Sequence, residues 1–199
     1  MSDEYFIREG YIDVAWQTEA IIRHASSTPL IIINEATSER FGGATQVFIQ
    51  VKDQDHVFLA AATVFAQLGL NIQDARLYSS SSRYTIDTFY ILDENNQPIS
   101  DDPNTHMQII DALKEELKLV EQGEYSDVIR KRTPRLLKQF TTPTRTSIHT
   151  GENDSFTTLE VVSPDRHSLL ATIAHIFMDF NIQLCNAKIS TLGERVEDI

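Results

Sequence analysis

Residues 46–78 and 158–190 carry one pattern twice, QVFIQVKDQDHVFLAAATVFAQLGLNIQDARLY and TLEVVSPDRHSLLATIAHIFMDFNIQLCNAKIS. The copies align without a gap, Asp53 meeting Asp165 and Ala75 meeting Ala187. An internal repeat fixes architecture before any single residue is weighed, because one chain segment must bury its apolar face twice in the same way. Val47, Ile49 and Val51 alternate, which is strand period. An Asp follows, and then Val57, Phe58, Ala61, Val64, Phe65 and Leu68 recur at helical spacing. Leu169, Leu170, Ile173, Ile176, Phe177 and Phe180 take the same positions in the second copy, so each copy predicts a helix with one apolar stripe. Asp53 and Asp165 stand where an N-cap belongs. The helix is expected to end at Leu68-Gly69-Leu70, with a second strand from Asn71 to Tyr78.

The rest of the chain extends this pattern. Tyr5–Ile22 reads as a helix whose stripe is Ile12, Ala15, Trp16 and Ala20, and Leu30–Ile33 as a short buried strand. Glu35–Gly43 is a polar loop. Thr85–Leu92 is rich in β-branched and aromatic residues and predicts a strand after the Ser-rich turn. Thr105–Val120 predicts a helix burying Met107, Ile110, Leu113, Leu117 and Val120, and Pro143–Thr150 a closing strand. From Thr45 the order is β-α-β-β-α-β, the split βαβ of ferredoxin-like folds. The expected fold class is therefore α+β, with tandem ferredoxin-like βαββαβ units. Expected divisions are an N-terminal linker or tail over 1–43, a first unit over 44–150 and an incomplete second unit over 156–199. The second unit stops a few residues into its third strand, the strand that lies between the first two. Its absence is expected to leave strand edges open to a neighbouring copy, as in a homodimer, and the chain is expected to be a piece of a longer protein.

Composition narrows the function. A net charge of −12 argues against binding nucleic acid or an anionic membrane. One cysteine, Cys185, excludes an internal disulfide framework. The acidic start resembles no signal peptide, and the longest apolar run, Val57–Ala66, is about half of a membrane span. A cytoplasmic protein is expected. His167 and His175 stand roughly 12 Å apart along one helix, too far to share a metal. Gly42-Gly43 followed by Asp53-Gln54-Asp55 superficially resembles a nucleotidyltransferase signature, but a strand fills the interval where that signature needs a helix. No His-Asp pair or phosphate-binding glycine motif is present, so no catalytic residues are expected.

Two βαββαβ units with an Asp between strand and helix resemble ACT domains, the small-molecule sensors of amino-acid metabolism. Gly-Leu-Asn-Ile-Gln-Asp-Ala-Arg (69–76), Ile-Asp-Thr-Phe (86–89) and Ala-Lys-Ile-Ser-Thr-Leu-Gly-Glu-Arg-Val-Glu-Asp (187–198) resemble one family more narrowly. It is the C-terminal tandem ACT region of the bifunctional PII uridylyltransferase/uridylyl-removing enzymes, and the resemblance covers nearly the whole chain. It implies a role in nitrogen regulation, with glutamine as effector and with the PII signalling protein and the enzyme's own catalytic domains as partners. Those domains, with their Mg2+ chemistry, lie upstream in the family. The alternative is a stand-alone ACT-type interaction module without enzymatic activity.

In ACT pairs the effector sits where the strand–helix loop of one unit faces the second strand of the other. The resemblance carries that site onto Asp53, Asp55 and His56 with Asn71 and Ile72, and onto Asp165, His167 and Ser168 with Gln183 and Leu184. The chemistry suits an amino acid: helix N-terminal N–H groups attract a carboxylate, and an Asp accepts from an ammonium group. The same residues also read as helix caps and turn formers. The usual loop, Asp-Arg-Pro-Gly, ends in a glycine where this chain has His56 and Ser168. Arg130, Lys131, Arg132, Arg135, Lys138 and Arg145 are the one basic cluster, read as a solvated linker or a docking surface.

Overall fold

A computed structural model describes residues 3–36, 43–52, 56–79, 84–99, 101–127, 143–150, 156–164, 168–182, 184, 187, 189–192 and 195–198. Helices α1 (Asp3–Arg8) and α2 (Tyr11–His24) lead into strand β1 (Leu30–Glu35). The first repeat copy forms β2 (Thr45–Lys52), α3 (Val57–Leu68) and β3 (Asn71–Ser79), followed by β4 (Tyr84–Leu92) and α4 (Pro103–Glu121). The second part comprises β5 (Arg145–His149), β6 (Thr158–Pro164), α5 (Leu169–Asp179), β7 (Ile189–Leu192) and β8 (Arg195–Asp198). Two antiparallel sheets result, ordered β1-β2-β4-β3 and β5-β6-β8-β7. The α+β class and its ferredoxin-like units are those expected.

The first sheet separates its faces cleanly. Ile31, Val47, Ile49, Ala75, Leu77, Phe89 and Ile91 point to one side and form the main core with α3 and with Ile109, Leu113 and Leu117 of α4. Phe48, Tyr78 and Ile86 point to the other side and pack with Tyr5 of α1, Val14 and Trp16. The segment 1–43, expected as a linker, thus supplies both an edge strand and a helical cover to this sheet. Its helix is broken at Gly10, which is extended (φ −67°, ψ 146°), giving two helices where one was expected. The outer stripe of α2 is also corrected. Ile12 and Ala15 are exposed, while Asp13 and Gln17 are buried. The sheet face below them carries Gln46 and Tyr90, so a polar stripe meets polar partners.

The strand expected to close the first unit, Pro143–Thr150, lies in the other sheet as β5. The edge beside β2 is already filled by β1, so no ladder is left there. Leu30 faces Gln50 in β2, and Arg145 faces Val162 in β6. Gln50 and Val162 are equivalent repeat positions, so β1 and β5 enter their sheets in the same register. The third strand of the second unit is formed by β8, which pairs with both β6 and β7. In α4, Ile109 is buried and Met107 is exposed, a shift of the expected face. Asp102 caps this helix, its Oδ2 accepting from the Thr105 backbone N–H at 3.0 Å, with Pro103 in the first turn.

The two parts meet side by side. Helix α3 packs on α5, and β3 runs next to β7. The helix contact is made by small residues, Ala62 and Ala66 against Ala171, all buried. Alanines let the helices approach closely, so a larger side chain there has no room. Ala62→Leu is expected to destabilise the chain by roughly 1–3 kcal/mol through overpacking, read as a lower urea midpoint; a neutral result would mean the helices separate at no cost.

Candidate functional site

The residue that precedes the helix has the same backbone conformation in each repeat copy. His56 has φ 69°, ψ 24° and Ser168 has φ 65°, ψ 16°, both left-handed. These are the two positions where the resembled loop carries glycine, and the backbone there takes the conformation glycine favours. They, rather than Asp53 and Asp165, hold the N-cap position, and neither side chain caps its helix. The His56 carbonyl accepts from Ala60 N–H at 3.1 Å and the Ser168 carbonyl from Thr172 N–H at 2.9 Å. The helix ends match as well. Leu70 N–H donates to Phe65 O at 2.8 Å, and Ile182 N–H to Phe177 O at 2.7 Å, around left-handed Gly69 and Asn181.

Of the other expected site residues, Asp53, Asp55, Asp165, His167 and Gln183 lie outside the described residues, as do Cys185 and the basic cluster apart from Arg145. Asn71 opens β3. Its Nδ2 donates to the Asp93 carbonyl at 3.2 Å and to Asn96 Oδ1 at 3.5 Å, which ties it to the turn after β4. Ile72 and Leu170 pack against the same inter-helix alanine cluster. The start of β3 in one part is thereby brought close to the first turn of α5 in the other. Leu184, the repeat equivalent of Ile72, packs against the main core. Among the described residues no three His, Cys, Asp or Glu side chains stand close enough to share a metal ion, and no helix is long and apolar enough to cross a membrane. An open cleft of about 390 Å³ lies elsewhere, between α2 and β1, lined by Trp16, Arg23, His24 and Leu30 among others.

Two polar features were missed by the sequence reading. The first is a network beneath α1 and α2. Arg76 Nη1 donates to Glu9 Oε2 at 2.8 Å, Arg76 Nε to Asp74 Oδ2 at 3.3 Å, and Tyr78 Oη to Glu9 Oε1 at 2.9 Å. Burial raises the Glu9 carboxyl above the usual range, and the Arg76 guanidinium opposes that rise. Glu9, Asp13 and Gln17 are spaced by four, the one sequence signal for a polar face turned inward. The second is Asp87 in the centre of β4, within the Ile-Asp-Thr-Phe motif. Strand alternation puts it on the face of Phe89 and Ile91, and its Oδ1 has no hydrogen-bond partner among the described residues. Burial pushes its carboxyl up to about 8, so it carries a proton at neutral pH.

No family model matches the chain. It is 44% identical over 200 aligned positions to the bifunctional uridylyltransferase/uridylyl-removing enzyme of Ectopseudomonas mendocina (strain ymp). The same enzyme is 44% identical in Pseudomonas entomophila (strain L48) and 42% identical in Stutzerimonas stutzeri (strain A1501). The chain is homologous to a region of these enzymes. Each alignment covers 100% of this chain and 22% of the relative, so the chain spans about a fifth of the length of the curated relatives it matches. Among solved structures, aspartate kinase from Synechocystis aligns with a TM-score of 0.39 and 13% identity, over 78% of this chain and 23% of that one. A likeness that slight bears on neither fold nor function.

A left-handed non-glycine residue costs about 1–2 kcal/mol. His56→Gly is therefore expected to raise stability by roughly 0.5–1 kcal/mol after the added chain entropy of glycine, read in urea unfolding. Asp87 gives a pH signature. Its folded value, about 8, exceeds its ordinary value of 3.8, so the native state holds the proton more tightly. The contribution is present in acid and is lost as pH rises from about 4 toward about 8. Asp87→Asn is expected to remove that slope, so that the variant gains on the wild type steadily between those limits in thermal unfolding at several pH values.

Proposed function

We propose that the chain is the regulatory, effector-sensing C-terminal portion of a bifunctional uridylyltransferase/uridylyl-removing enzyme, with glutamine as the effector. The observation that carries this reading is identity of 42–44% over the whole chain to a region of such enzymes that makes up 22% of their length. The PII signalling protein and the enzyme's own catalytic domains are the partners this reading implies, and the chemistry on PII belongs to those domains. A sensor of this kind needs a site that recognises an amino acid and a means of passing the signal on.

The loop geometry supports such a site. Left-handed His56 and Ser168 leave the first-turn N–H groups of α3 and α5 directed out of the helix start, where a ligand carboxylate is stabilised. The start of β3 approaches the Ser168 loop through the alanine contact, so one ligand there would touch both parts and stabilise their association. An effect on activity then requires that glutamine bind one state of the enzyme more tightly than another. Calorimetric titration of glutamine, with glutamate as control, is expected to give a saturable heat for glutamine alone. Asp165→Ala is expected to weaken it about tenfold or more, by loss of a charge-assisted hydrogen bond to the ammonium group. No heat at millimolar glutamine would rule it out as the effector of this region.

A further inference from the structure

Helices α1 and α2 turn a polar stripe toward the sheet and leave several large apolar side chains in solvent. Glu9, Asp13 and Gln17 face the sheet and are each less than a tenth exposed, whereas Ile7 is 82%, Tyr11 85% and Ile22 70% exposed. Buried polar groups and exposed large apolar ones are the informative departures from the ordinary rule. The contacts that hold the pair down are polar as well as apolar: beside the cluster of Tyr5, Val14 and Trp16 on Phe48, Tyr78 and Ile86 runs a set of buried hydrogen bonds. Tyr5 Oη donates to Gln17 Oε1 at 2.6 Å, and Gln46 Nε2 donates to Asp13 Oδ1 at 3.3 Å. Gln17 Nε2, Gln46 Oε1 and Thr88 Oγ1 are buried in this layer without a hydrogen-bond partner among the described residues. Such an interface gains less from burial than a wholly apolar one, and the charged contacts within it weigh correspondingly more.

Those contacts converge on Glu9. Both of its carboxylate oxygens are engaged, one by Arg76 and the other by Tyr78, and Gly10 breaks the helix immediately after it. We propose that α1–α2 is a releasable strap, latched to the outer face of the first sheet by Glu9 against Arg76 and Tyr78. The strap opens as a unit while the sheet, α3 and α4 stay folded. Both latch partners stand on β3, the strand that runs next to β7, so opening alters the strand at the junction of the two parts. The inference does not depend on the identity of the effector.

Hydrogen exchange measured by mass spectrometry on the 199-residue chain tests it, with Trp16, the single tryptophan, as a second probe. Trp16 packs edge-on against Phe48 and donates to Asp13 at 2.9 Å, so its emission reports on docking of α2. In the wild type, peptides from α1–α2 are expected to exchange faster than those from α3. Glu9→Gln keeps the side-chain shape and removes the charge. It is expected to speed exchange in α1–α2 by roughly tenfold or more, leave α3 unchanged, and shift Trp16 emission to the red. Equal exchange of α2 and α3 in the wild type would overturn the proposal. So would an unchanged α1–α2 in Glu9→Gln, or a Glu9→Gln chain that loses α3 protection together with α2, since the strap would then be part of one cooperative core.

Discussion

Helix α3 has no polar face, and the rest of the molecule is arranged to cover it. Every residue from Val57 to Ala66 is buried. A helix apolar all round has to be enclosed on all sides, and one sheet covers only one of them. The face of Val47, Ile49, Phe89 and Ile91 takes the first side, α4 the second, and α5 the third. The alanines at the last contact decide the geometry. Ala62, Ala66 and Ala171 allow the two repeated helices to approach closely, which also brings the start of β3 toward the first turn of α5. The same contact that completes the core therefore builds the junction between the two parts.

The second face of the first sheet obeys different physics. It carries Gln46, Asp74, Arg76, Thr88 and Tyr90 among its apolar residues, and it is covered by helices with a matching polar stripe. Hydrogen bonds in a buried layer are directional and costly when incomplete, so such an interface is specific without being strongly stabilising. The molecule thus combines a dry, tightly packed layer around α3 with a polar, incompletely satisfied layer under α1–α2. Local opening is expected where apolar burial is least, which is the polar layer. Asp87 is an exception on the dry side, a protonated carboxyl in the main core whose burial makes that core lose stability as pH rises from about 4 toward about 8.

Much of this was legible in the sequence, for identifiable reasons. The repeat located both strand–helix–strand copies, because alternation and helical spacing follow from backbone geometry alone. The resemblance to ACT loops marked His56 and Ser168 as standing where glycine is usual, and the backbone at both is left-handed. What misled was reading each neighbour by local pattern. Ile12, Ala15, Trp16 and Ala20 form a fair apolar stripe, yet Glu9, Asp13 and Gln17 are the buried set. The pattern of one helix does not reveal the polarity of the surface it meets. Asn71 could be named as a site residue, but its bonds to Asp93 and Asn96 depend on a turn far along the chain.

The sequence by itself determined the elements, the equivalence of the two copies and the special backbone positions within them, because these depend on residues near one another in the chain. The tertiary structure alone decided which sheet each edge strand joins. Pro143–Thr150 follows the first unit in the chain and pairs with the second in space, since β1 already holds the only vacant ladder beside β2. It also decided which face of α1–α2 is buried and which alanines touch. Those outcomes come from competition among distant segments for the same hydrogen bonds and the same apolar surface, and no local pattern records who wins.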